Sequence, residues 1–105
     1  MPSVYDNKYT IGDLTFSIHK NSPYIIDLSG PLTFKTTPLL TKKLLGLNVK
    51  SLVLDFNNVP SIDQQSIDMI LKVSKLIEIT IWNPNHTIRA AFTCLNCLPE
   101  LNPAL

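Results

Sequence analysis

Long apolar runs are missing from this chain of 105 residues, and charge is both scarce and balanced. No segment reaches the roughly 18 consecutive apolar residues of a membrane-spanning helix, and the polar start MPSVYDNKYT is unlike a signal peptide. A formal net charge of +1 gives no field that would hold nucleic acid or an anionic membrane. We therefore expect a cytoplasmic protein that binds no nucleic acid and does not insert into a membrane.

Glycine is also scarce, with three residues that form neither of the phosphate-binding patterns GxxxxGK[ST] and GxGxxG. Groups for catalysis are equally few. His86 is the one base near neutral pH that we expect in the neighbourhood of Asp63, and the sequence places no nucleophile beside it. A Ser66–His86–Asp63 triad is conceivable, but nothing in the spacing supports it. We expect no enzyme activity and no cofactor.

The two cysteines, Cys94 and Cys97, form a CxxC pair. Redox pairs of this type depend on a helix N-terminus that lowers the pKa of a thiol. This pair instead falls at the end of a predicted helix, where the dipole has the opposite sign. A zinc site needs four ligands, and only His19 and His86 remain as other soft donors. We interpret the cysteines as ordinary semi-buried thiols and expect no metal site.

What the chain does contain is an alternation of short apolar strands and amphipathic helices. The predicted elements are a strand hairpin (Thr15–Lys20 and Tyr24–Leu28), a helix (Thr37 to about Leu45), a strand (Leu52–Phe56), a helix (Gln64–Ile77), a strand (Glu78–Trp82) and a last helix around Ile88–Leu95. This β-β-α-β-α-β-α order predicts one α/β domain over residues 1–105, with its core at about 13–98. We expect a mixed, mostly parallel sheet of about four strands with helices packed on it, the first strand being an antiparallel edge.

Two details of the helices can be predicted as well. The hydroxyl of Thr37 is expected to cap the first helix, with Pro38 in its first turn and Gly46 at its end. Leu39 is expected to face the core from this helix, and Leu76 from the second.

The stretch from Ser51 to Ile77 joins a buried strand, a polar turn and a helix whose N-cap is expected to be Asp63. The carboxyl ends of parallel strands meet at one edge of a sheet, so Leu32–Thr37, Asn57–Ser66 and Asn83–His86 should lie together there. Since this edge lacks a catalytic set of residues, we expect it to bind another protein.

The segment LVLDFNNVPSIDQQSIDMIL resembles the signature of the STAS domain, the fold shared by sulfate transporter tails and anti-sigma factor antagonists. The residues from Ile26 to Phe34 resemble the second strand and following loop of that family, and Asn83-Pro84 resembles its usual exit from the next strand. The resemblance spans about Thr15 to Leu98 and implies a STAS-like fold with a role in protein interaction.

In signalling members of the family, a partner kinase phosphorylates a hydroxyl at the position after the Asp or at its neighbour. Gln64 and Gln65 stand at these positions here and cannot be phosphorylated. Ser66 lies roughly 100° further around the helix. The resemblance therefore implies a constitutive docking contact in place of a phosphate switch.

The end of the chain resembles a second subfamily, the small STAS subunit on the ATPase of the phospholipid ABC transporter that maintains outer-membrane lipid asymmetry. The segment CLNCLPEL is similar to the last helix and leucine-proline segment of those subunits. This resemblance implies an ABC transporter ATPase as partner, at the inner membrane, with an anti-sigma factor kinase as the alternative.

In that subfamily the loop before the second helix and its first turn contact the ATPase. Carried over to this chain, and extended along the apolar stripe of the helix, the expected partner-binding residues are Ser61, Asp63, Gln64, Gln65, Ser66 and Met69. The subfamily often has threonine where Gln64 stands. For Met69 the alternative interpretation is a wide core-facing stripe.

Overall fold

The computed structural model describes residues 8–20, 23–94 and 102–104. The strands are β1 (Lys8–Ile11), β2 (Leu14–His19), β3 (Tyr24–Ser29), β4 (Ser51–Asn58), β5 (Glu78–Trp82) and β6 (Asn102–Ala104). The helices are α1 (Thr37–Gly46), α2 (Gln64–Ser74) and α3 (His86–Cys94).

These strands form one sheet in which neighbours along the chain are also neighbours in space. β1, β2 and β3 pair in antiparallel fashion, whereas β3, β4, β5 and β6 pair in parallel. A helix occurs in each of the parallel connections, as strands running in the same direction require a crossover. The predicted α/β class and the mixed, mostly parallel sheet are confirmed.

The predicted number of about four strands is wrong, because a short strand extends the sheet on each side. β1 has four residues and β6 has three, with Pro103 at its centre. In segments this short, the alternation of apolar and polar residues is too brief to distinguish a strand from a loop. Proline also argues against a strand, except at the edge of a sheet. β2, which was expected to be an edge strand, consequently lies between β1 and β3.

The core is a single cluster of apolar side chains that joins the sheet to all three helices. β2 contributes alternate residues, and β4 is buried at three consecutive positions, from Leu52 to Leu54. The helical members of the cluster are Leu40, Leu44, Ile67, Ile70, Val73, Ile88 and Phe92. Phe56 and Phe92 meet edge to face with their ring centroids 6.4 Å apart, which ties α3 to β4.

The predicted cap of α1 is wrong, whereas Pro38 in its first turn and Gly46 at its end are confirmed. Thr36, and not Thr37, is the N-cap residue, and its side chain makes no capping hydrogen bond. Gly46 is the last helical residue; the left-handed backbone, with φ of 58°, follows at Asn48. Asparagine tolerates this conformation better than most side chains, so a glycine is not required there.

Two leucines that were expected to face the core are on the surface. Leu39 in α1 is 54% exposed, and Leu76 in the turn after α2 is 73% exposed. Leu76 was placed inside because the second helix was predicted to continue to Ile77, whereas α2 ends at Ser74.

Candidate functional site

Three segments meet at the carboxyl ends of the parallel strands, as predicted. The N–H of Leu32 donates to the carbonyl of Ser61 at 3.0 Å, and the N–H of Asp63 donates to the carbonyl of Leu32 at 3.1 Å. The side-chain amide of Asn85 donates to the carbonyl of Val59 at 3.1 Å. The loops before α1, α2 and α3 are thus held at one edge of the sheet.

Asp63 is the N-cap residue of α2 and also fixes the loop before α1. One carboxylate oxygen accepts the N–H of Ser66 at 2.8 Å, and the other accepts the N–H of Phe34 at 2.8 Å. Desolvation by burial would raise the pKa of Asp63, but hydrogen bonds from Ser66 and Phe34 outweigh it and hold the pKa below its ordinary 3.8. The carboxylate is therefore ionised at neutral pH and has a structural role.

Ser66 is fully buried at the contact between α1 and α2. The hydroxyl of Thr37, which is also fully buried, donates to the hydroxyl of Ser66 at 2.7 Å. We expected Ser66 to contact a partner and Thr37 to cap α1. The structure instead pairs the two hydroxyls in the interior, so Ser66 presents no surface to a partner in this conformation.

Asp63 was also expected to contact a partner; it is partly exposed, and both of its carboxylate oxygens accept backbone hydrogen bonds. The remaining expected residues of this segment are accessible. Ser61, Gln64 and Gln65 are exposed, and Met69 is partly exposed one helical turn beyond Gln65. The side-chain amide of Gln64 donates to Asp68 at 3.2 Å along the outer surface of α2. These four residues lie on the solvent side of the turn whose interior is filled by Ser66.

An open groove of about 360 Å³ runs along this side of α2, lined by Phe34, Gln65, Asp68, Met69 and Lys72. Phe34 is 55% exposed, which is unusual for a phenylalanine. The sequence placed Leu32–Thr37 at this edge of the sheet, but Phe34 was not among the expected partner-binding residues. A lone aromatic residue in such a loop was the signal that could have drawn attention to it.

We refer to the surface formed by Phe34, Ser61, Gln64, Gln65 and Met69 as the α2 face. The hydrogen bond from Phe34 to Asp63 holds the loop against the helix, so the aromatic ring and the glutamines belong to one supported surface. Hydrogen-bonding amides next to a partly exposed aromatic ring and thioether suit contact with a protein.

Within the described residues, no group of three or more His, Cys, Asp and Glu side chains could hold a metal ion. No helix in the same part of the chain is long and apolar enough to cross a membrane. Cys97 and the side chain of Cys94 lie outside the described residues. The interpretation of the CxxC pair as ordinary thiols therefore stays a prediction.

A family model described as the STAS domain matches residues 17–102, which span β2 to the start of β6. The chain belongs to the STAS domain family. A search of curated proteins found no match.

Solved structures agree with this assignment. The anti-sigma factor antagonist SpoIIAA in its unphosphorylated form aligns with a TM-score of 0.73 and 18% identity, over 86% of this chain and 88% of that chain. An anti-sigma factor antagonist from Mycobacterium paratuberculosis gives a TM-score of 0.77 and 12% identity, over 90% and 89%. The Bacillus cell fate determinant SpoIIAA in its phosphorylated form gives 0.65 and 18%, over 86% and 91%. At such identities the likeness establishes the STAS fold.

Proposed function

We propose that this STAS domain is a non-catalytic, cytoplasmic protein-interaction subunit that binds its partner through the α2 face. The observation that carries the proposal is the exposed ring of Phe34, which lines one groove with Gln65 and Met69. The hydrogen bond from the backbone N–H of Phe34 to the carboxylate of Asp63 holds it there. Aromatic and methionine side chains are enriched at protein interfaces, and a rigid surface loses little entropy when it binds.

The docking contact is proposed to be constitutive. Gln64 and Gln65 carry no hydroxyl, and the hydroxyl of Ser66 is buried against Thr37. A kinase would therefore have to open the contact between α1 and α2 before it could reach Ser66. Ser61 is the exposed hydroxyl of the α2 face, so its modification is the form of phosphate control that needs a direct test.

For the partner we propose the cytosolic ATPase of a phospholipid ABC transporter, which would place the domain peripherally at the inner membrane. The support is the resemblance of the segment around Cys94–Leu101 to the small STAS subunit of that transporter. An anti-sigma factor kinase is the second candidate. It is favoured by the similarity to solved anti-sigma factor antagonists over most of both chains.

Co-expression of the tagged chain with each candidate partner tests the proposal. We expect the ATPase to co-purify with the wild-type chain, and Phe34→Ala and Met69→Asp to reduce its recovery. Lys75→Glu is the matched surface control, because Lys75 is exposed at the end of α2, outside the α2 face. Recovery of the kinase and not of the ATPase would overturn the ATPase assignment while keeping the interaction role. Recovery unaffected by both variants would overturn the α2 face.

Intact-mass measurement after incubation with the kinase and ATP distinguishes constitutive docking from control by phosphorylation. We expect no mass increase. An increase of one phosphate that disappears in Ser61→Ala would show a phosphate switch and contradict constitutive docking.

A further inference from the structure

A second and larger groove lies away from the α2 face, between α1 and the antiparallel hairpin of β1 and β2. Its volume is about 590 Å³, within the range of roughly 300–1,000 Å³ that is common for small-molecule sites. Neither the proposed docking contact nor the cap of α2 uses any residue of this groove.

One side of the groove is apolar. The ring of Tyr9 stacks on Phe16 with the centroids 5.2 Å apart and the planes at 27°. Phe16 is only 1% exposed, so this floor is anchored in the core. Leu39, which also lines the groove, exposes 54% of its surface, and a bound apolar group would remove part of that surface from water.

The polar part of the groove is cationic. Lys20, Lys42 and Lys43 are among its lining residues, and no acidic residue is. The ammonium of Lys43 lies over the ring of Tyr9, 4.3 Å from its centroid, which positions the charge directly beside the apolar floor. Among the described residues, no carboxylate forms an ion pair with any of the three ammonium groups.

We propose that this groove binds an amphipathic anion, a molecule with a carboxylate or phosphate head and an alkyl tail. The head would pair with Lys43 and its neighbouring lysines, and the tail would lie along Tyr9, Phe16 and Leu39. Apolar surface beside cations that have no counter-ion within the described ranges is matched by a ligand that carries both features.

Calorimetric titration of the full chain tests this, using dodecanoate and dodecyl phosphate below their micelle concentrations. We expect saturable binding at one site for both. Neutral dodecyl maltoside has the alkyl tail without an anionic head, and inorganic phosphate has the anionic head without a tail. Each should bind at least about tenfold more weakly, the factor expected when a charge-assisted bond or a buried alkyl chain is lost. The proposal would be overturned if dodecyl maltoside or inorganic phosphate bound as tightly as the anionic amphiphiles, or if neither anionic amphiphile bound.

Two variants locate the site. Lys43→Gln and Leu39→Asn should each weaken dodecanoate binding by about tenfold, whereas the charge-matched control Lys75→Gln and the docking variant Phe34→Ala should leave it unchanged. Leu39 is largely exposed, so its variant is expected to fold even if Lys43→Gln does not. Unchanged affinity in Leu39→Asn would place the ligand elsewhere. Binding to vesicles of anionic lipid, without binding to the monomeric amphiphiles, would indicate a membrane surface as partner and also contradict the groove.

Discussion

The first turn of α2 has two sides that differ in their exposure to solvent and in their hydrogen bonds to the rest of the domain. Asp63 and Ser66 direct their side chains to groups 29 residues away in the sequence, Phe34 and Thr37. Gln64 and Gln65, between them, are exposed. Successive residues of a helix are separated by roughly 100°, so one short motif divides into a structural side and a surface side. The motif should therefore not be treated as a single contact site.

A negative charge introduced on each side should give the largest difference in the free energy of unfolding between the two sides. In Ser66→Asp a carboxylate would be buried opposite the hydroxyl of Thr37, and we expect the free energy of unfolding to fall by about 3 kcal/mol or more. Gln64→Asp places the same charge in water near the positive end of the helix, and we expect a change within about 0.5 kcal/mol. Urea denaturation of both variants measures the difference. Similar losses in the two would mean that the sides are not distinct.

Removal of the N-cap carboxylate is the next largest effect. Asp63→Ala loses the bonds to Ser66 and Phe34, and we expect a cost of about 1–2 kcal/mol. Because the pKa of Asp63 is lowered in the folded state, its contribution is complete above the ordinary pKa of 3.8 and is lost as pH falls through the folded value. The stability difference between wild type and variant should be constant from pH 8 to 6 and shrink below about pH 4. A difference that grew on acidification would contradict this role.

The buried pair of hydroxyls can be measured with a double-mutant cycle. Thr37→Val and Ser66→Ala should each cost about 1 kcal/mol, because each leaves the other hydroxyl without its partner. The double variant should cost less than the sum, with a coupling of about 1 kcal/mol. Strict additivity in thermal or urea unfolding would mean that the bond of 2.7 Å contributes nothing to joining α1 and α2.

The smallest effect on stability is expected on the exposed side. Gln65→Lys should leave the melting temperature nearly unchanged, since the side chain is exposed, and should weaken binding of the partner. Parallel measurements of melting and of partner affinity check both parts. If Gln65→Lys unfolded the domain, the residue would be structural and the α2 face would be wrong.

Much of the fold could be predicted because its signals are local. Alternating burial in β2 and the apolar run of β4 appear directly in the sequence, as does the N-cap residue Asp63. β1 and β6 were missed because they are short edge strands whose stability comes from the neighbour with which they pair. Leu39 was placed in the core because a helical period alone does not give the width of the surface that the sheet covers.

The sequence predicted the edge of the sheet at which the candidate site lies and four of the five residues of the α2 face, all but Phe34. Parallel topology was enough to bring the loops before α1, α2 and α3 to one edge. It did not reveal that Phe34 would join Gln65 and Met69 in a groove, or that Ser66 would be withdrawn from the surface. Both outcomes depend on how the loop before α1 packs against the start of α2.

Residue identity and spacing within single elements were enough to predict the α/β class, the capped start of α2 and the lack of a hydroxyl at Gln64 and Gln65. Which side of that start is buried and which is exposed depends on the tertiary structure. The deciding bonds, from Phe34 to Asp63 and from Thr37 to Ser66, join residues 29 positions apart. No local pattern encodes such a pairing, because it forms only when α1 and α2 pack side by side on the same sheet.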